Sequence, residues 1–146
     1  MGAEARRRTL NTVFADAGFW IALRDARDVE HRRAAAIAAA VLGRRFRLLT
    51  TPLVFAEVYA RFSRSRPVRE QFIRDVWENP AVHLEQASFE DQKSALEILR
   101  QHRDKSFSFS DAVSFSVMTR LEIDRAISFD AHFRQYGLFK IITSDT

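Results

Sequence analysis

Short apolar runs that alternate with longer helical stretches narrow the fold of this chain more than any other feature. Thr12 to Ala15, Phe46 to Thr50, Val82 to Glu85, Arg125 to Phe129 and Phe139 to Thr143 each read as a buried strand. The stretches between them carry helical spacing. One helix runs from Gly18 to about Arg24. The next is Ala-rich, takes Asp28 as its cap and stops at Gly43. Thr51-Pro52 pairs a capping hydroxyl with a proline at the first helical position. Pro67 restarts a helix that runs to about Glu78. Ser88 with Asp91 forms a capping box for a helix ending near Arg103. Asp104 to Phe109 alternates like a strand, but Ser108 stands three residues before Asp111, so it reads as a loop leading into a cap. A further helix covers Ser110 to about Leu121, and a helical turn through Phe133 is broken at Gly137. With only four Gly and three Pro, the chain lacks the turns of a hairpin-rich β protein. The pattern predicts one α/β domain with a parallel sheet and helical crossovers.

Composition limits the function. The chain has 146 residues, enough for one domain with its own core. It has no Cys, which removes disulfides and thiolate metal sites and fits a reducing cytoplasm. No apolar run approaches the ~20 residues that span a bilayer. The first 11 residues are basic, without the apolar stretch of a secretory signal, and read as a solvated tail. Of the 23 basic residues, 20 are Arg, and the formal charge is +4. Arg grips phosphate with two parallel hydrogen bonds and stacks on bases, so the excess suits a nucleic-acid partner. It equally suits solvated helix faces.

Four acids stand out by context. Asp16 directly follows the first strand and Asp130 the fourth. Asp111 begins an apolar helix. Glu57 lies in the middle of the helix after the second strand, among Val54, Val58 and Tyr59. In an open parallel sheet, residues after the strands and at the starts of the crossover helices collect at one edge, where such folds bind ligands. Asp16, Asp111 and Asp130 could each serve a helix or turn start instead. Glu57 is too far into its helix to cap it, and a buried carboxylate there needs a partner or a metal. Two carboxylates about 6 Å apart repel by roughly 3 kcal/mol at an effective dielectric near 20. A four-acid cluster is tolerable only with bound protons or cations. Oxygen ligands without Cys point to a hard ion, Mg²⁺ or Mn²⁺. His132 reads as a turn residue.

FADAGFWIAL with Asp16, PLVFAEVYARF with Glu57, FSFSDAVSFSVM with Asp111 and ISFDAHF with Asp130 resemble the four motifs of PIN-domain nucleases. The likeness is greatest to VapC-like toxins of toxin–antitoxin pairs, and RDVEHRRAAA adds to it. It spans residues 12–143. It implies a Rossmann-like three-layer α/β/α sandwich with a central parallel sheet of four to five strands. It further implies Mg²⁺- or Mn²⁺-dependent hydrolysis of RNA, leaving a 5′-phosphate and a 3′-hydroxyl. On this likeness Asp16, Glu57, Asp111 and Asp130 are catalytic metal ligands, with Ser110 and Ser128 orienting them. It implies an antitoxin partner, a homodimer and a cytoplasmic, membrane-free setting. The apolar helix from Pro52 to Phe62 would then offer a dimer or antitoxin surface. The family often carries a hydroxyl or amide residue just after the first acid, and here Ala17 and Gly18 stand there.

Two other readings start from the same residues. A phosphoacceptor signalling domain also places an Asp after a buried strand, but it calls for a second acid beside Asp16 and a lysine ending the last strand. A non-catalytic RNA-binding module would use the fold without the chemistry.

Overall fold

The computed structural model describes residues 2–4 and 11–144. Most of the expected basic tail, residues 1 and 5–10, lies outside them. Five strands form one sheet: β1 (Thr12–Ala15), β2 (Arg47–Thr50), β3 (Val82–Leu84), β4 (Arg125–Ile127) and β5 (Lys140–Ile142). Seven helices connect them: α1 (Ala17–Arg24), α2 (His31–Gly43), α3 (Pro52–Arg61), α4 (Arg66–Trp77), α5 (Phe89–Gln101), α6 (Phe109–Arg120) and α7 (His132–Tyr136). The strand order is β3-β2-β1-β4-β5, and every pairing is parallel. This is the expected three-layer α/β/α sandwich, with five strands.

The sequence explains the order. All four residues of β1 are buried, as a strand covered on both faces requires. Right-handed crossovers then send β2 and β3 to one side of β1, and β4 and β5 to the other. The direction reverses between β1 and β4, and the crevice of such a sheet opens at that switch point. Asp16 follows β1, and Ser128 to Asp130 follow β4. Phe14 at the sheet centre stacks on Phe133 at 5.8 Å, and Phe115 of α6 stacks on Tyr136 at 4.3 Å. These contacts fix α7, and with it the loop after β4.

Three helix starts use the predicted caps. Thr51 Oγ1 accepts from the Val54 amide at 3.3 Å, ahead of Pro52. Ser88 with Asp91 and Ser108 with Asp111 both form capping boxes. Asp28 does not cap α2. Its Oδ1 accepts from the Glu30 amide at 2.8 Å, which makes a turn, and the helix begins at His31. Gly43 is the last residue of α2, but Arg45, at φ 60°, takes the left-handed position beyond it.

Two sequence expectations change here. The crossover from β3 to β4 is a helical hairpin, α5 then α6. Arg120, ending α6, pairs with Asp91 in the first turn of α5, so the two helices run antiparallel. Asp111 therefore reaches the site because α6 is the returning arm, not because its helix directly follows a strand. The all-round apolarity of α3 also has an internal use. Val54 and Val58 are buried, Phe55 stacks on Phe72 of α4 at 5.1 Å, and Leu53 and Phe62 pack on the core. Ala56, Glu57, Ala60 and Arg61 are left exposed, so α3 alone presents no broad apolar face.

Candidate active site

The site is built outward from Asp16. Its amide donates to the Ile127 carbonyl at 3.1 Å, which ties the end of β1 to β4. The Ala15 carbonyl before it accepts from Trp20 Nε1 and from Thr50 Oγ1, both at 3.2 Å. The backbone that presents Asp16 is thus held by α1 and β2. Asp16 is the N-cap residue of α1, yet its side chain makes no capping bond to the helix. Its carboxylate instead meets the Ala17 amide and the Ser128 hydroxyl, which donates to Oδ2 at 3.2 Å. The missing side chain after the first acid is therefore replaced by a backbone N–H and a hydroxyl from the end of β4.

The other acids gather around it. Ser128 Oγ also reaches Asp130 Oδ1 at 3.5 Å, so one hydroxyl stands between the acids that follow β1 and β4. Asp130 Oδ1 accepts from the His132 amide at 2.8 Å, closing a tight turn. Asp111 Oδ2 accepts from the Ser108 amide at 2.9 Å as part of the capping box. Asp111 and Asp130 both bear electrostatically on Asp16 and on Glu57. The four sequence-predicted acids form one cluster at one edge of the sheet.

Burial gives the cluster its character. Asp16 is 6% exposed, and its carboxyl is pushed up from 3.8 to about 8. Desolvation is the main cause, followed by the charge of Asp130; the Ala17 amide opposes them, and Asp111 adds to the rise. Glu57 differs from the sequence expectation. The residue as a whole is exposed, not buried. Partial desolvation of its carboxyl, with Asp111 and Asp130 nearby, still raises it above its ordinary value. It stands at the rim, with Asp16 at the floor. Among the described residues, no Arg or Lys pairs with any of the four acids.

His132 is the residue that sequence reasoning missed. Its amide makes the turn, as expected of its position, but its ring does more. Nδ1 lies 2.7 Å from Asp111 Oδ2 and 4.0 Å from Asp130 Oδ1, and Nε2 lies 3.3 Å from Ser106 Oγ. Asp111, Asp130 and His132 offer ligand atoms that all lie within 4.8 Å of one another, spacing that one cation can bridge. The only sequence signal was its place two residues after Asp130, the spacing that also made it look like a turn residue. Ser110, expected beside the acids, uses its carbonyl to accept from Ser114 Oγ at 2.8 Å, and its hydroxyl makes no bond to an acid among the described residues. Lys140 opens β5, away from the edge that carries Asp16, and no second acid stands next to Asp16 in the sequence, so the phosphoacceptor arrangement is missing.

A doubly wound parallel sheet with uncompensated carboxylates at its switch point is the arrangement of a cation-dependent phosphodiester hydrolase. The PIN-domain family profile matches residues 13–138. The chain belongs to the PIN-domain family of metal-dependent ribonucleases, in its VapC-like toxin branch. Among its relatives is the 23S rRNA-specific endonuclease VapC20 of Mycobacterium tuberculosis, 28% identical over 130 residues that cover 88% of this chain and 97% of that protein. The crystal structure of M. tuberculosis VapC20, described as a sarcin–ricin loop cleaving toxin, superposes with a TM-score of 0.78 at 26% identity, covering 86% of this chain and 95% of that one. Among the described residues, no helix is long and apolar enough to cross a membrane.

Proposed function

We propose that this protein is a Mg²⁺- or Mn²⁺-dependent endoribonuclease that cuts a structured loop of ribosomal RNA, with Asp16, Glu57, Asp111 and Asp130 holding the ion. The observation that carries this reading is Asp16: a carboxyl nearly sealed from water, raised to about 8, and without a cationic side chain beside it. Such a group is unfavourable when ionised unless a cation joins it. Beside it Asp111 and Asp130 offer carboxylate oxygens at a spacing that fits a hard ion, with the His132 imidazole in the same group; Asp16 and Glu57 lie outside that group. A bound divalent cation would neutralise charge on the scissile phosphate and activate water for in-line attack.

The chain's own residues divide the remaining work. Asp16 anchors the floor of the site, and Ser128 orients its Oδ2. His132 and the Ser108 amide occupy Oδ2 of Asp111, which holds that carboxylate in one orientation. Glu57 and Asp130, both exposed, stand where substrate arrives. Ser110 has no part in the proposal, since its hydroxyl touches no acid. The VapC20 likeness supports ribosomal RNA as the substrate class. An antitoxin that keeps the enzyme inactive, action in the cytoplasm and a homodimer belong to the same proposal, as what the resemblance to VapC-like toxins implies. A non-catalytic module would have no use for four uncompensated acids in one place.

The test is cleavage of a labelled 23S rRNA stem-loop by chelator-treated protein, with Mg²⁺ or Mn²⁺ added back. The wild type is expected to cut only with the ion, and D16N and D111N to lose that activity. Equal cutting by all three proteins would overturn the assignment.

A further inference from the structure

A second concentration of charge, opposite in sign to the acids, lies between the far ends of α1 and α3. Arg27, Arg61, Phe62, Ser63, Arg64 and Ser65 line a cleft of about 510 Å³. The lining holds three guanidiniums and no carboxylate; Asp25 lies 3.6 Å from the largely exposed Arg27. Asp25 also feels the charge of Arg61. Among the described residues, neither Arg61 nor Arg64 forms an ion pair. Ser65 Oγ already accepts from the Val68 amide at 3.4 Å, while the Ser63 hydroxyl is uncommitted among the described residues.

The cleft is tied to the acid cluster by helix geometry. Asp16 stands at the start of α1 and Asp25 at its end. Glu57 and Arg61 are four residues apart on α3, so they share a face, about 6 Å apart along the axis. The α1–α3 pair therefore carries acids at one end and guanidiniums at the other. A polymer lying along it must be anionic at the basic end. At the acidic end it must share a cation. A phosphodiester backbone meets both conditions, and Phe62 beside the guanidiniums gives a base a surface to stack on.

We propose that this cleft holds the phosphodiester backbone of the RNA substrate next to the scissile linkage, with Arg61 and Arg64 on phosphate oxygens and Arg27 at the rim. The proposal rests on the ribonuclease reading and extends it to a subsite. Its test is the salt dependence of RNA binding. The D16N protein, without added divalent ion, is titrated into a fluorescein-labelled 20-nucleotide single-stranded RNA over a range of KCl. Each phosphate that the protein no longer neutralises should lower the slope of log K against log salt by about 0.7, so R61A/R64A should lower it by about 1.4 and weaken binding roughly 10-fold at low salt. R44A, outside the cleft, should change neither. With an otherwise wild-type site, R61A/R64A should raise KM with kcat kept. An unchanged slope and KM in a folded double variant would overturn the subsite while leaving the nuclease reading intact. Competition by polyglutamate as strong as that by RNA would overturn the assignment to nucleic acid. A slope that falls as stated in a protein that cuts no RNA with any divalent ion would uphold the cleft and overturn the nuclease reading.

Discussion

The chain contains the same local motif twice, with opposite consequences. Ser88 and Asp91 open α5; Ser108 and Asp111 open α6. In each, the serine hydroxyl accepts from the aspartate amide at 3.0 Å, and the aspartate Oδ2 accepts from the serine amide, at 2.8 Å and 2.9 Å respectively. Both aspartates are buried, 4% and 7% exposed. The difference lies across the hairpin. Arg120 places Nε and Nη2 on the Asp91 carboxylate at 2.9 Å, and its Nη2 also reaches Glu85 at 3.2 Å. Burial pushes Asp91 up, but Arg120 and the box's own hydrogen bonds outweigh it and leave the carboxyl below its usual value. Asp111 meets a histidine and other acids instead. One box is electrically closed within the protein. The other is left open toward a ligand.

Removing each carboxylate charge separates the two roles, and this is the largest expected effect. D111N should lower RNA cleavage by more than ~100-fold, since even outer-shell partners of a metal are worth about 10–100-fold. Its fold should persist, because an amide oxygen can still accept from Ser108. D91N should leave cleavage per folded molecule unchanged and lower stability by about 1–3 kcal/mol, through loss of charge-assisted hydrogen bonds to Arg120. Denaturation midpoints beside cleavage rates check both. If D91N abolished activity in a fully folded protein, the contrast between the boxes would collapse.

The supports of the open site come next in size. S128A and H132A should each weaken Mn²⁺ binding by about 10–100-fold, by freeing Asp16 and Asp111 respectively. Titration of the metal into each variant measures this without RNA. Retention of wild-type affinity in H132A would make its ring a neighbour of Asp111 and nothing more.

The two regions also respond to pH with opposite sign. Asp16 has a folded pKa near 8 against 3.8 unfolded, so the folded state binds the proton more tightly. Its contribution is fully present below about pH 4 and is lost as pH rises through 8. Asp91 is depressed, so its contribution is present above the unfolded value and is lost as pH falls through the folded one. Between pH 5 and 8, metal-free wild type should therefore lose stability as pH rises, D16N should lose less, and a saturating divalent cation should flatten the wild-type curve. A metal-free melting temperature that rises over this window in wild type and D16N alike would contradict the account of Asp16.

Much of this was legible in the sequence, for reasons that single residues show. The β-branched and apolar TVFA before an acid specifies a central strand, and two Ser-x-x-Asp patterns specify two helix starts. The gathering of Asp16, Asp111 and Asp130 follows from topology, which strand and helix order dictate. What escaped depends on side-chain direction and on pairing at long range. Glu57 looked buried because its neighbours in sequence are apolar, but those neighbours turn toward the core and α4 and leave it on the outer side. His132 looked like a turn residue because its amide closes the turn after Asp130; only the fold brings α6 beside its ring. Nothing local distinguishes Asp91 from Asp111, since the deciding residue, Arg120, lies 29 positions from one and at the far end of α6 from the other.

The smallest expected effect tests whether the boxes are equivalent as local structure. S88A and S108A each remove a hydroxyl that caps a helix, and each should cost about 1 kcal/mol. Their stabilities should therefore match closely. Their activities should not. In S88A the carboxylate of Asp91 is still held by Arg120, and the site is untouched. In S108A Asp111 keeps the backbone amide and the His132 ring but loses the hydroxyl that fixes the first turn of α6, so Mn²⁺ affinity should fall a few-fold. Equal metal affinity in the two variants would mean that the box at Asp111 holds the helix alone, and that the orientation of the carboxylate is set entirely by His132.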